Sequence, residues 1–222
     1  VARETGGRVA FIMTETPANP TNGLVDLALM RRVADEIARR QGGEPPPVAV
    51  DNTFLGPVYQ QPLAHGADLV LYSLTKYVGG HSDLVAGGVV GSKARVKATR
   101  LLRSALGTQL DANSAWMIMR SMETMALRMR AASDNAARVA QYLARHPRVS
   151  DVNYLGLLPP GDARADVFRR QCASAGSTAM TCASDLPPTR HGNPSHVLQR
   201  MQVLLCFRCS SIWMPSGIEN GW

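Results

Sequence analysis

The sequence predicts an α/β fold: a mostly parallel sheet flanked by helices, followed by an incomplete α+β C-terminal domain. Three observations predict it. Short apolar runs alternate with amphipathic helical stretches through the first half of the chain, the rhythm of an open α/β sheet. Two of those runs end in polar residues, Asp51 and Ser73, and binding groups in open α/β sheets gather at the carboxyl ends of strands. The 222 residues are 45% apolar and 18% charged, ordinary for a globular chain and enough to bury a substantial core.

The elements follow in order. Residues 9–13 form an unbroken apolar run and read as a buried strand. A loop rich in turn formers occupies 15–23. Residues 26–40 carry Leu27, Met30, Val33, Ala34 and Ile37 on one helical face. The stretch 41–47, with two glycines and three prolines, ends that helix, and 48–50 form the next strand. Residues 62–67 read as a short helix, 69–72 and 85–90 as strands, and 93–106 as a helix. A long helical run covers 114–145 and stops before Pro147; its methionines Met117, Met119, Met122, Met125 and Met129 read as core filling. A strand at 149–154 and a helix at 162–175 open a second domain.

Composition narrows the function classes. No apolar run approaches the length of a membrane span, and the start shows no apolar segment of a secretory signal, so a cytoplasmic protein is expected. The net charge of +7 comes almost wholly from scattered arginines without aromatic interleaving, which argues against nucleic-acid binding. Four cysteines fall in the last third, and without a secretory signal a disulfide framework is not expected. His65, His81 and Asp83 match no common ligand spacing, and the lone pair Cys206 and Cys209 makes no complete zinc set, so no metal is expected.

The informative stretch is Ser73-Leu74-Thr75-Lys76, which begins 22 residues after Asp51. The chain has three lysines, Lys76, Lys93 and Lys97, against 21 arginines. A lysine beside two hydroxyls in so arginine-rich a chain points to a need for an amine, because a guanidinium cannot lose its proton to act as a nucleophile. A lysine amine, hydroxyls for a phosphate and an acid for a pyridine nitrogen are the parts needed to hold pyridoxal phosphate. Each residue also has an ordinary alternative: Asp51 as a turn former, Ser73 and Thr75 as partners of backbone groups, Asn19 as a turn residue between prolines.

Three ordered motifs weigh against those alternatives. Glu15-Thr16-Pro17-Ala18-Asn19-Pro20, then Val50-Asp51-Asn52-Thr53, then 68–83 with Ser73-Leu74-Thr75-Lys76-Tyr77 at its heart resemble the transsulfuration enzymes of cysteine and methionine metabolism. The later segment 119–125 resembles that family's helix at the domain junction, and the likeness runs from about residue 9 to about 178. The resemblance implies a fold-type-I pyridoxal-phosphate enzyme that breaks or exchanges the bond at Cβ or Cγ of a sulfur amino acid or homoserine ester. It implies that Lys76 forms a Schiff base and then moves protons on the substrate. By the same resemblance Asp51 pairs with the ring nitrogen, Ser73 and Thr75 bind the phosphate, and Asn19 lies near the ring hydroxyl. Glu15 supports its loop, and Tyr77, His81 and Asp83 shape the turn after the lysine. Gly80-His81-Ser82-Asp83 resembles the lyase and γ-synthase branch more than the sulfhydrylase branch. A homo-oligomer acting on a small amino-acid substrate is implied as well.

The likeness is incomplete. The chain starts without Met and almost directly with a strand, as a piece of something longer would. The expected domains are 1–128, a cofactor-binding part lacking its N-terminal portion; 129–179, a long helix and the start of the C-terminal domain; and 180–222, an irregular tail. That tail loses both helical and strand periodicity, gains Cys and Trp, and reads as a shifted frame from near Ala179. Arg190, Arg200 and Arg208 lie there, none in a context that marks it as a substrate-carboxylate ligand. Rival expectations are a non-catalytic remnant and another fold-type-I enzyme such as an aminotransferase.

Overall fold

The computed structural model describes residues 7–172 and, as backbone strands, 179–184 and 200–204. A four-stranded sheet, β1 Ile12–Glu15, β2 Val48–Asp51, β3 Leu69–Ser73 and β4 Gly87–Gly91, has the order β1-β2-β3-β4. The first three strands are parallel and β4 runs antiparallel to β3. The register sets Glu15 beside Asp51, Asp51 beside Leu71, and Ser73 beside Gly87. The sheet is therefore mostly parallel, as expected, and its polar residues sit at one pole.

β1 lies further along the chain than its apolar run suggests. The partner strand begins only at Val48, after Pro45-Pro46-Pro47, whose nitrogens carry no hydrogen for a ladder. Pairing thus starts at Ile12, whose amide meets Pro47 O at 3.0 Å, and continues to Glu15.

Helix α1, Leu27–Gln41, starts where the Asp26 carboxylate accepts the Leu29 amide, and ends at Gly42, whose φ of 67° suits a residue without Cβ. Its Leu27 and Ala34 are buried against Val48 and Val50, with Ile12 and Met30 at the margin. A one-turn helix α2, Gly56–Tyr59, and a 3-10 turn, Pro62–His65, bridge β2 to β3. Helix α3, Lys93–Leu106, is capped by the Ser92 hydroxyl and buries none of its residues; Leu101, Leu102 and Leu106 stay exposed.

The long helical run divides into α4, Ala112–Met122, and α5, Met125–Leu143. No Gly or Pro marks the division. The Ser121 carbonyl, which would continue the helix, accepts instead from Arg128 Nη2 at 2.7 Å and from the Thr124 amide at 3.3 Å. Strand β5, Val149–Asn153, pairs with β6, Ala179–Ser184, which pairs with β7, Arg200–Leu204, all antiparallel. Helix α6, Ala163–Gln171, lies between β5 and β6 and stops short of 175. The rest of the tail, including Cys206, Cys209, Arg190 and Arg208, lies outside the described residues. Among the described residues no helix is long and apolar enough to cross a membrane.

Several side-chain contacts bind the second part of the chain to the loop before α1, among them Asn153 Nδ2 to Thr21 O and Arg170 to Asp26. Asn22 Nδ2 donates to Asn153 O, and the Gln171 amide accepts from Leu27 N and donates to Val25 O. The core beneath the polar pole is Phe54, Leu55, Tyr59, Tyr77 and Met129.

Candidate active site

The carboxyl ends of β2 and β3 carry the site. Asp51 closes β2, and its Oδ1 accepts from Thr53 N at 3.0 Å and from Thr53 Oγ1 at 2.7 Å. Having given its proton to Asp51, the Thr53 hydroxyl has lone pairs left, and one of them accepts the Ser73 amide at 2.8 Å. One hydroxyl therefore ties the end of β2 to the end of β3. The sequence motif contained Thr53 but gave it no role; the available signal was a hydroxyl two residues after an acid, the spacing of an Asx turn.

The next residue, Asn52, is fully buried and fixes the loop below. Its Nδ2 donates to Gly56 O at 3.2 Å and Gln60 O at 3.0 Å and lies 3.3 Å from the Tyr72 hydroxyl. Burial pushes the Tyr72 phenol above its ordinary pKa, opposed by that contact with Asn52.

Glu15 lies beside Asp51 at the end of β1. Burial holds its carboxyl above the ordinary range, the backbone amide of Asn19 opposes this, and the charge of Asp51 adds to it. The loop that carries Asn19 thus folds back over the same pole, with cis peptides at Thr16-Pro17 and Asn19-Pro20 and the Thr16 hydroxyl accepting Val25 N. The Asn19 side chain is exposed there. Glu15 supports this loop through a main-chain contact.

After Ser73 the chain enters a wide π turn, Leu74–Val78. Lys76 sits inside it at φ −86° and ψ −119°, outside helical geometry, and is exposed. The turn closes through Gly79 N to Leu74 O at 2.8 Å and Gly80 N to Lys76 O at 2.7 Å. Tyr77 and Val78 are buried. Thr75 faces away: its hydroxyl donates to Ala86 O at 3.2 Å and accepts Ala86 N at 3.0 Å, fastening the turn to the approach to β4. His81 Nδ1 lies 2.7 Å from Gly79 O, which places the proton on that nitrogen and makes it part of the turn. Asp83 is exposed.

The structure thus brings Asp51, Ser73 and Lys76 to adjoining strand ends, with Asn19 on the neighbouring loop. Among the described residues, neither the Ser73 hydroxyl nor the Lys76 ammonium bonds to another protein group. This donor set fits a phosphorylated pyridine aldehyde: an amine to bind the aldehyde, a half-held carboxylate for a ring N–H, and a hydroxyl proton for a phosphate oxygen. The Thr75 hydroxyl has its single proton on Ala86 and joins that set only by turning. No group of three or more His, Cys, Asp or Glu suited to a metal occurs among the described residues.

Comparison with known proteins bears on the chain as a whole. The profile of the family described as "Cys/Met metabolism PLP-dependent enzyme" matches residues 1–199. L-methionine gamma-lyase of Brevibacterium aurantiacum is 38% identical over 180 residues, which cover 81% of this chain and 42% of that protein. Cystathionine gamma-synthase 1, chloroplastic, of Arabidopsis thaliana is 39% identical over 169 residues, covering 76% of this chain and 28% of that protein. The crystal structure of apo CalE6, a methionine gamma lyase from Micromonospora echinospora, aligns with a TM-score of 0.72 at 34% identity over 81% of this chain and 47% of that one. The chain therefore spans less than half the length of these relatives.

Proposed function

This chain belongs to the family of Cys/Met metabolism PLP-dependent enzymes, and on that premise we propose that it carries the cofactor-holding core of a C–S lyase or γ-synthase. Its fold is the fold-type-I arrangement of the γ-lyases. The observation that carries the proposal is the meeting of Asp51, Ser73 and Lys76 at two adjoining strand ends, tied through Thr53. Substrates would be cystathionine, methionine, homocysteine or an O-acylated homoserine, attacked at Cβ or Cγ.

Pyridoxal phosphate, when bound, supplies an electron sink for the carbon being activated. The chain's own residues do the rest. Lys76 would hold the cofactor through Nζ, and its amine would carry protons between the substrate's α and β carbons. Asp51 would keep the proton on the ring nitrogen; Thr53, by holding Oδ1, orients its other oxygen. Ser73 would hold the phosphate, Thr75 would do so on leaving Ala86, and Asn19 would face the ring hydroxyl. We place the boundary of the cofactor-binding part near residue 128, with 129–179 opening the C-terminal part and 180–222 as a tail whose strands β6 and β7 join the sheet of β5, and we assign the working form to a cytoplasmic homo-oligomer.

The test is chemical. Pyridoxal phosphate is added to the chain, the visible spectrum is recorded, the adduct is reduced with borohydride, and the labelled residue is mapped. A visible band with label on Lys76 is expected. No band, or label shared with Lys93 and Lys97, would overturn the proposal and leave a chain that folds without the chemistry.

Thr53→Val keeps the shape and removes the hydroxyl that joins Asp51 to Ser73. Its loss is expected to weaken cofactor binding by about tenfold, since hydrogen bonds to charged groups contribute about 1.5–3 kcal/mol. Titration of the visible band against added cofactor checks this, and an unchanged dissociation constant would count against Thr53 as the organiser of the site.

A further inference from the structure

Helix α5 places one charged side chain in the interior beneath the lysine turn. Arg128 is 5% exposed. Its Nη1 donates to Tyr77 O at 2.8 Å, its Nη2 to Val78 O at 3.1 Å and Ser121 O at 2.7 Å, and its Nε to Thr124 Oγ1 at 3.1 Å. Among the described residues no carboxylate pairs with it. A buried cation without a counter-ion is costly, and burial lowers its pKa from the ordinary guanidinium value.

What the cation holds explains why it is kept there. Tyr77 and Val78 are the two residues after Lys76, both are buried, and buried carbonyls need donors. The amides of Gly79 and Gly80 are already bonded back to Leu74 and Lys76. A guanidinium offers five donors in one rigid plane, so a single side chain reaches both carbonyls and the open end of α4 together. Gly80 lies directly against it: a Cβ there would stand 1.7 Å from Nη1, and Gly80 has a φ of +74°.

We propose that Arg128 is a positioning residue for Lys76: by fixing the backbone carbonyls of Tyr77 and Val78 it sets the direction in which the lysine amine leaves the π turn. The inference rests on the reading of Lys76 as the cofactor-binding lysine. A role confined to filling the core would not need the fork, and a lysine ammonium, a single point donor, could not match the planar fork across the carbonyls of Tyr77, Val78 and Ser121.

The experiment uses the full chain with Arg128→Lys and Arg128→Ala and two readouts. The first is amide hydrogen exchange without cofactor. The second is the yield of borohydride-trapped pyridoxal phosphate on Lys76. Exchange is expected to rise about tenfold or more at residues 77–80 while β1, β2 and β3 stay protected, because buried carbonyls lose their donors. Label on Lys76 is expected to fall by about tenfold, with Arg128→Lys between parent and alanine, as each lost bond to a charged group is about a tenfold effect. Free guanidinium at non-denaturing concentration should restore label to Arg128→Ala. Should the alanine variant not fold, Arg128→Lys decides. Label equal to that of the parent in a folded variant overturns the proposal. So does a uniform rise in exchange across the sheet, which marks a general loss of stability. Should the parent chain take no label, the reading of Lys76 fails, and exchange at 77–80 alone decides whether Arg128 fixes the turn.

Discussion

Lys76→Ala is expected to abolish covalently trapped pyridoxal phosphate, whereas Lys93→Ala and Lys97→Ala leave it unchanged. Only three amines on side chains are available, and two of them stand on α3, beyond the antiparallel edge strand. Lys76 alone is carried on a closed turn between the end of β3 and the buried pair Tyr77 and Val78. Lys76→Arg should fail as completely, since it keeps the charge and loses the nucleophile. That comparison separates an electrostatic from a covalent role. In a protein that turns over substrate, the loss of the same amine as proton carrier should cost about a thousandfold in rate. Label retained in Lys76→Ala, mapped to either remaining lysine, would remove the central residue of the proposed site.

Met129→Ala is expected to destabilise the fold by about 2–5 kcal/mol, the range for deleting a buried Met, Leu or Ile side chain into a cavity. Met129 is 1% exposed and packs with Phe54, Leu55, Tyr59 and Tyr77. Its Sδ and Cε fill the space left by Gly56, where a Cβ would come within 3.1 and 2.9 Å of them. The cavity would open under both halves of the site, because Phe54 and Leu55 follow the Asp51–Thr53 turn and Tyr77 follows Lys76. Met129→Leu, similar in volume, should cost less than about 1.5 kcal/mol. Urea midpoints for the two variants check the pair. A shift for alanine no larger than that for leucine would show that this cluster does not carry the site.

The ends of β2 and β3 and the body of α1 were legible because their signals are local: apolar runs, apolar residues on one helical face, prolines and glycines that end a helix. The alternation of runs also placed Asp51 and Ser73 at one pole before any geometry was known. What escaped the sequence depends on partners distant along the chain. β1 begins where the Ile12 amide reaches the Pro47 carbonyl, so the proline run before β2 sets its limit. The break between α4 and α5 has no helix breaker, because it is made by the Arg128 guanidinium taking the Ser121 carbonyl. The π turn and its clamp needed the same arginine, 52 positions after Lys76. Thr53 was hidden because its meaning lies in Ser73, on the next strand. The Thr75 hydroxyl turns to Ala86 because the lead into β4 runs beside it, an orientation that Ser73-Leu74-Thr75-Lys76 alone does not contain.

The close seat of Gly80 on the Arg128 fork bears on how related sequences diverge. Any larger residue at position 80 collides with the guanidinium, and trimming the arginine first leaves two carbonyls stranded. Neither single step is neutral, so descent has no easy intermediate. The glycine and the arginine should be inherited as a linked pair, and lineages that lose one should have lost the other along with the use of the lysine between them and the strand.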